Sequence, residues 1–101
     1  MLPNITLPVY LGQNQKEIHL IDIRTPEEFA LSHCECAINI PYDLLMMYPE
    51  SYLSRENHYY LICSHGNLSN RASAILQSYG YFVGSIENGY QCRCFCCYRC
   101  L

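Results

Sequence analysis

From His58 to Tyr81 the chain is first apolar, then turns, then becomes periodic, and this order constrains the fold more than any other stretch. Tyr59-Tyr60-Leu61-Ile62 is the aromatic and aliphatic run of a buried strand. Ala72, Ile75, Leu76 and Tyr79 recur at steps of three and four residues and so predict one face of a helix, with Gly80 placed to end it. Cys63 then falls at the carboxyl end of a strand, where the turn Ser64 to Leu68 leads into a helix N-terminus. The first N–H groups of a helix lack intrahelical partners, so with the flexible Gly66 in the turn several donors can converge on the sulfur. Such a nest favours the reactive thiolate and also an anion bound above the loop. His65 in the same loop adds positive charge when protonated.

The preceding chain supplies the other elements. Leu2, Ile5, Leu7, Val9 and Leu11, interrupted by two prolines, suit an edge segment or a short helical turn within 1–12. Ile18 to Ile23 is apolar enough for a central parallel strand, with Asp22 near its carboxyl end. Thr25, Pro26 and Glu28 form a helix start: a capping hydroxyl, a proline at the first helical position, and a glutamate three residues after the cap. Phe29 and Leu31 are expected to pack inward. Asp22, Arg24 and Glu28 read as a rim salt bridge and cap that hold loops in place, more than as direct catalysts.

Ala37 to Ile40 predicts a short strand stopped by Pro41, and Asn39 is expected to bond loop backbone. Leu44 to Tyr48 predicts a helix broken by Pro49, and Ser51 to Ser54 another short one. Met46 and Met47 read as core packing, and His33 as a hydrogen-bonded turn histidine; neither points to a metal. Phe82 to Ile86 is a last strand, followed by an Asn88-Gly89 turn. Strands alternating with helices imply right-handed crossovers and a small parallel sheet of four to five strands flanked by helices. The site then lies at the carboxyl edge of the sheet, with Cys63.

With 101 residues and 50% hydrophobic content, one small domain is expected. A formal net charge of −3 with 6 Lys plus Arg argues against an electrostatic hold on nucleic acid or an anionic membrane. No apolar run is long enough to span a bilayer, and the opening residues lack a basic start and an apolar core, so a cytoplasmic location is expected. Eight cysteines in a short chain would ordinarily raise a secreted disulfide scaffold, against which the α/β pattern speaks.

Cys63-x-x-Gly66-x-x-Ser69-x-x-Ala72, with Leu76 and Gly80-Tyr81 behind it, resembles the active loop and following helix of a single-domain rhodanese, a thiosulfate sulfurtransferase. Leu20 to Phe29, containing Asp22-x-Arg24 and Glu28-Phe29, and His33 to Pro41, containing Asn39-Ile40-Pro41, are similar to the family's opening signature. Val83 to Tyr90 resembles the strand and turn before its last helix. The resemblance implies a rhodanese-like α/β domain over 1–90. It also implies double displacement: Cys63 takes sulfane sulfur from a donor such as thiosulfate, becomes a persulfide, and passes the sulfur to a thiophilic acceptor. In that reading Cys63 is catalytic and the loop Ser64, His65, Gly66, Asn67, Leu68 and Ser69 holds the persulfide, Ser69 also capping the helix. Arg71, Asp22 and Arg24 support it. No cofactor is implied. The partners are a small sulfur-containing anion or thiol and a sulfur-acceptor protein.

Leu68 stands where the family often has Arg, which implies weak turnover with thiosulfate. Cys36 and Ser32 likewise stand where glycine is common. The tail, residues 91–101, does not resemble the family. Its cysteines, Cys92, Cys94, Cys96, Cys97 and Cys100, are thiophilic-metal ligands by type, but the spacing lacks the paired knuckles of a structural zinc site, so an irregular thiol-rich tail is expected. Leu68 and this tail also support an alternative, a non-catalytic module that binds a partner or senses oxidants. A cysteine phosphatase is a third and poorer reading, because a Cys-x₅-Arg loop wants arginine at position 69, which is serine.

Overall fold

The computed structural model describes residues 4–6, 9–10, 12, 18–34, 36–91 and 98–100, with residues 91 and 98–100 described by their backbone. Four strands, β1 (Ile18–Asp22), β3 (Ala37–Asn39), β4 (His58–Ile62) and β5 (Phe82–Ser85), form an all-parallel sheet in the order β3-β1-β4-β5. Leu20 is level with Ala37 on one side and Tyr60 on the other. The chain leaves β1 to one side and returns on the other, so the carboxyl ends of β1 and β4 flank the point where the winding reverses. In open parallel sheets that is where ligand crevices form.

Side chains alternate between the faces, as the strand period requires. Ile21, Ile23, Leu61 and Val83 pack on one face, while Leu20, Tyr60, Ile62 and Ile86 pack on the other. Helices α2 (Tyr42–Met47), α3 (Pro49–Tyr52) and α4 (Asn67–Ser78) lie over the first face, contributing Leu45, Ala72 and Leu76. Tyr10 and Phe29, the latter from α1 (Pro26–Leu31), lie over the second. The α1 start is as the sequence predicts: Glu28 N–H donates to Thr25 Oγ1 and Thr25 N–H to Glu28 Oε1, both at 3.2 Å, with Pro26 at the first helical position.

The segment before β1 serves as an edge at Ile5, which bridges Ile86 in parallel, and as a helical turn at Val9 and Tyr10. Residues 1–3, 7–8 and 11 of that expectation lie outside the described residues. A second, antiparallel pair joins β2 (Ser32–Cys34) to β6 (Tyr98–Cys100). The pairing puts the backbone of 98–100 in a strand, within the stretch 91–101 expected to be irregular. Residues 92–97, with four of the tail cysteines, lie outside the described residues.

Other corrections concern which way side chains face. Tyr79 is 54% exposed because it is the C-cap of α4, where the helical period has already lapsed. The buried stripe of α4 is instead Ser69, Ala72, Ser73 and Leu76, small enough toward the N-terminus for the helix to lie close to the sheet. Leu31 ends α1 just before the backbone extends into β2, and is exposed. Helix α2 is only six residues long, so it turns Leu45 and Met46 inward and leaves Met47 exposed. Pro49 both stops α2 and opens α3, which therefore starts earlier than Ser51. His33 lies in β2 and not in a turn; its Nδ1 is 2.7 Å from the Phe29 carbonyl oxygen and its ring stacks on Phe29. Among the described residues no helix is long and apolar enough to cross a membrane.

Candidate active site

Cys63 follows directly on β4 and is 5% exposed. Its Sγ accepts the Gly66 N–H at 3.1 Å and the Ser69 N–H at 3.4 Å, and lies 3.5 Å from Ser69 Oγ. The helix begins earlier than the spacing suggested. Gly66 is the N-cap of α4 and Ser69 its third residue, so Ser69 is not the capping residue. An N-cap side chain ordinarily accepts the N–H of the second or third helical residue. Gly66 has no side chain to do this, and the Cys63 sulfur takes the Ser69 N–H in its place. The Ser69 hydroxyl donates to the Gly66 carbonyl at 3.1 Å and is 2.7 Å from Ser85 Oγ, so a buried serine pair backs the sulfur.

The loop keeps this shape because of a second turn behind it. Gly66 has φ +94°, and a Cβ there would come within 2.9 Å of the Asn88 nitrogen. At Gly89, φ +54°, a Cβ would sit 1.9 Å from the Cys63 carbonyl oxygen. Asn88, φ 62°, completes a left-handed pair at this turn, and the Tyr90 N–H then donates to the Cys63 carbonyl at 3.1 Å.

The Tyr90 hydroxyl reaches across to the end of β1, donating to Asp22 Oδ2 at 3.0 Å and accepting the Cys34 N–H at 3.0 Å. Burial first, and then the Asp22 carboxylate, push its pKa far above the ordinary tyrosine value. Asp22 is fully buried. It accepts the Arg24 backbone N–H at 3.0 Å and is gripped by Arg24 Nε and Nη2 at 2.8–3.1 Å. Burial works against the Arg24 charge, but the hydrogen bonds and charge of Asp22 outweigh it and raise its pKa. Arg24 Nη2 also donates to the Ser32 carbonyl at 2.7 Å, and the guanidinium lies 4.3 Å from the centre of the Tyr90 ring. Asn39 Nδ2 donates to the Asp22 and Arg24 carbonyls at 3.0 Å each. This knot holds the carboxyl end of β1 beside that of β4.

A cleft of about 410 Å³ opens over Cys63. Ser64, His65, Asn67 and Leu68 of the loop line it, and Ile23, Arg24, Pro41, Tyr42 and Asp43 face them, with Thr25 and Glu28 beside. Arg71 is exposed on α4 and lies outside that lining; Asp22 sits behind the cleft, under Arg24. The Rhodanese-like domain family profile matches residues 8–92.

The chain belongs to the rhodanese-like family. This rhodanese-like domain is 34% identical over 67 residues to the adenylyltransferase and sulfurtransferase uba4 of Ogataea parapolymorpha, covering 66% of this chain and 17% of that protein. The chain thus spans less than a fifth of that relative's length. Among solved structures it resembles a rhodanese-related protein from Thermoplasma volcanium, with 31% identity, TM-score 0.78, and 89% and 88% of the two chains covered. It also resembles a rhodanese with anions from E. coli, with 28% identity, TM-score 0.63, and 73% and 88% covered.

Sequence reasoning did not identify Tyr90, Ser85, Gly89 and Tyr42 as parts of the rhodanese-like site. Only Gly89 carried a usable signal, since Asn-Gly is a pair that favours positive φ and therefore close backbone approach.

Proposed function

We propose that this domain is a sulfurtransferase or persulfide carrier working through Cys63. The observation that carries the reading is the convergence of the Gly66 and Ser69 N–H groups on Cys63 Sγ at the floor of a cleft. N–H donors aimed at sulfur stabilise negative charge there, both on the attacking thiolate and on the persulfide it becomes.

In the first step Cys63 Sγ attacks the outer sulfur of a donor such as thiosulfate. A new Sγ–S bond forms, the donor S–S bond breaks, and its electron pair leaves with sulfite. In the second step a thiophilic acceptor, whether cyanide, a thiol or an acceptor protein, attacks the outer persulfide sulfur, and the thiolate is regenerated. Splitting one transfer into two displacements is covalent catalysis, and it needs no cofactor. Ser69 Oγ, beside Sγ, can turn its proton from the Gly66 carbonyl toward a charged sulfur while Ser85 keeps it hydrogen-bonded.

The test is intact mass spectrometry after incubation with a sulfane-sulfur donor. Gain of one sulfur atom, absent in Cys63→Ser and reversed by cyanide, supports the cycle. A correctly folded protein that gains none from any donor overturns it.

A second reading, an oxidant-sensing module, rests on Cys34 Sγ lying 3.3 Å from Cys36 Sγ. Treatment with a low-molecular-weight disulfide that removes two hydrogens and links Cys34 to Cys36 in the peptide map supports it. A map in which the two stay unlinked removes it.

A further inference from the structure

Sulfur transfer at Cys63 leaves a second pair of sulfurs, outside the cleft, without a role. Cys34 ends β2 and is buried among Tyr10, Leu20, Ile62 and Ile86, and Cys36, two residues on, is partly buried against the same cluster. Both are thiols, and their Sγ atoms are 3.3 Å apart. Cys36 stands where the family commonly has glycine, so the resemblance gives its sulfur no task. The Tyr10 hydroxyl donates to the Ile18 carbonyl at 2.8 Å and is hydrogen-bonded to Cys36. Burial first, and then the Cys36 and Cys34 sulfurs beside it, raise the Tyr10 pKa, as two sulfurs gathered at one hydroxyl would do.

One residue ties this pair to the loop of Cys63. Tyr90 accepts the Cys34 N–H on its hydroxyl at 3.0 Å, donates that hydroxyl to Asp22 at 3.0 Å, and donates its backbone N–H to the Cys63 carbonyl at 3.1 Å. It thus has one end on the backbone of the dithiol and the other on the backbone of the nucleophile. A disulfide needs about 2.05 Å between its sulfurs, so closing this one draws them together by about 1.2 Å and shifts the Cys34 N–H that Tyr90 holds. Close-packed interiors pass such displacements on instead of absorbing them. The Gly66 and Ser69 N–H groups favour the thiolate at Cys63, so a loop drawn out of that arrangement presents less of the nucleophile.

We propose that Cys34 and Cys36 are a modification site for low-molecular-weight disulfides, and that closing the pair lowers the reactivity of Cys63 through Tyr90. This rests on the oxidant-sensing reading of the pair and makes Cys63 the residue on which it acts. Cys36 is the more accessible of the two. Its thiolate attacks one sulfur of the incoming disulfide, whose S–S bond breaks, and one thiolate of the reagent leaves. The Cys34 thiolate then attacks the Cys36 sulfur, the mixed disulfide breaks, and the second thiolate of the reagent leaves. The protons of the two cysteines end on the two released thiolates, so the pair loses two electrons and the reagent gains them.

The experiment treats the full chain with glutathione disulfide, maps its disulfides by peptide mass spectrometry, and times the alkylation of Cys63 by iodoacetamide. Alkylation is read instead of sulfur gain, so the result does not depend on the donor. Only Cys63 still present as a thiol is counted, which sets aside chains that the reagent has capped there. The map is expected to show Cys34 joined to Cys36, and Cys63 alkylation to slow by at least about twofold, the low end of what such contact networks carry. The rate should return on adding a thiol reductant. Cys36→Ser, which can still hydrogen-bond to Tyr10, should keep its own untreated rate after the same exposure. Tyr90→Phe should close the pair with most of the slowing gone.

A map in which the pair stays open, or joins other cysteines instead, removes the oxidant-sensing reading and the proposal with it. A closed pair with Cys63 alkylated as fast as before, or faster, overturns the proposal and leaves that reading standing. Slowing that survives reduction, or that persists in treated Cys36→Ser, overturns the assignment to this pair. Slowing undiminished in Tyr90→Phe overturns the route through Tyr90.

Discussion

Gly89→Ala tests the claim that the Asn88–Gly89 turn shapes the loop of Cys63. At φ +54° an alanine is strained by about 1–2 kcal/mol for its left-handed backbone alone. Its Cβ would also lie 1.9 Å from the Cys63 carbonyl oxygen and 2.8 Å from the carbonyl carbon, and both are backbone atoms that cannot rotate away. Forcing such a contact open typically adds about 1–3 kcal/mol, for a total of about 2–5 kcal/mol. Gly80→Ala is the control. Its φ of +93° exacts a similar backbone cost, but the nearest atom to its Cβ would be Arg55 Nε at 3.4 Å, on a flexible side chain. The difference between the variants is thus the collision alone, and in a domain of this size 1 kcal/mol corresponds to about 4–8 °C in Tm. Thermal unfolding followed by circular dichroism should place Gly89→Ala at least about 4 °C below Gly80→Ala. Alkylation of Cys63 should change in the first and stay at the wild-type rate in the second. Equal melting temperatures with equal Cys63 alkylation would refute the reasoning.

Asp22→Asn leaves the Arg24 charge enclosed without its partner, so urea denaturation should show a loss of about 3–5 kcal/mol. A loss under about 1 kcal/mol would mean that the pair is solvated and not structural. Tyr90 supplies a pH test. Its folded pKa is raised, by burial first and Asp22 second, whereas an unfolded tyrosine ionises near pH 10. The folded state therefore retains a proton that the unfolded state gives up, so this contribution is whole below about pH 10 and is lost as pH climbs above it. Each such tyrosine steepens the alkaline fall in stability by about 1.4 kcal/mol per pH unit. Tyr90→Phe should make that fall shallower in urea midpoints measured from pH 9 to 11; an unchanged slope would contradict the assignment.

What was legible in the sequence was local. The Thr25 capping box occupies four consecutive residues, and the Cys63 cradle lies within seven, so each is written in contiguous chain. The parallel sheet flanked by helices followed from strands alternating with helices, whereas the order of its strands did not. What was not legible depends on contacts between distant residues that leave no periodic trace. Tyr90 and Asp22 are 68 residues apart, and neither a tyrosine hydroxyl nor a carboxylate announces its partner. Side-chain direction failed at helix ends, as with Tyr79 and Leu31, because periodicity extrapolates through a cap that the backbone does not respect. For 98–100, cysteine spacing spoke of thiol chemistry and gave no sign of the antiparallel pairing with β2, which lies more than 60 residues earlier in the chain.

The substitution of a sulfur atom for a capping side chain at the start of α4 gives that helix a sensitivity ordinary helices lack. The atom that accepts the Ser69 N–H is the Cys63 sulfur, so chemistry at that sulfur and the capping of α4 share one atom.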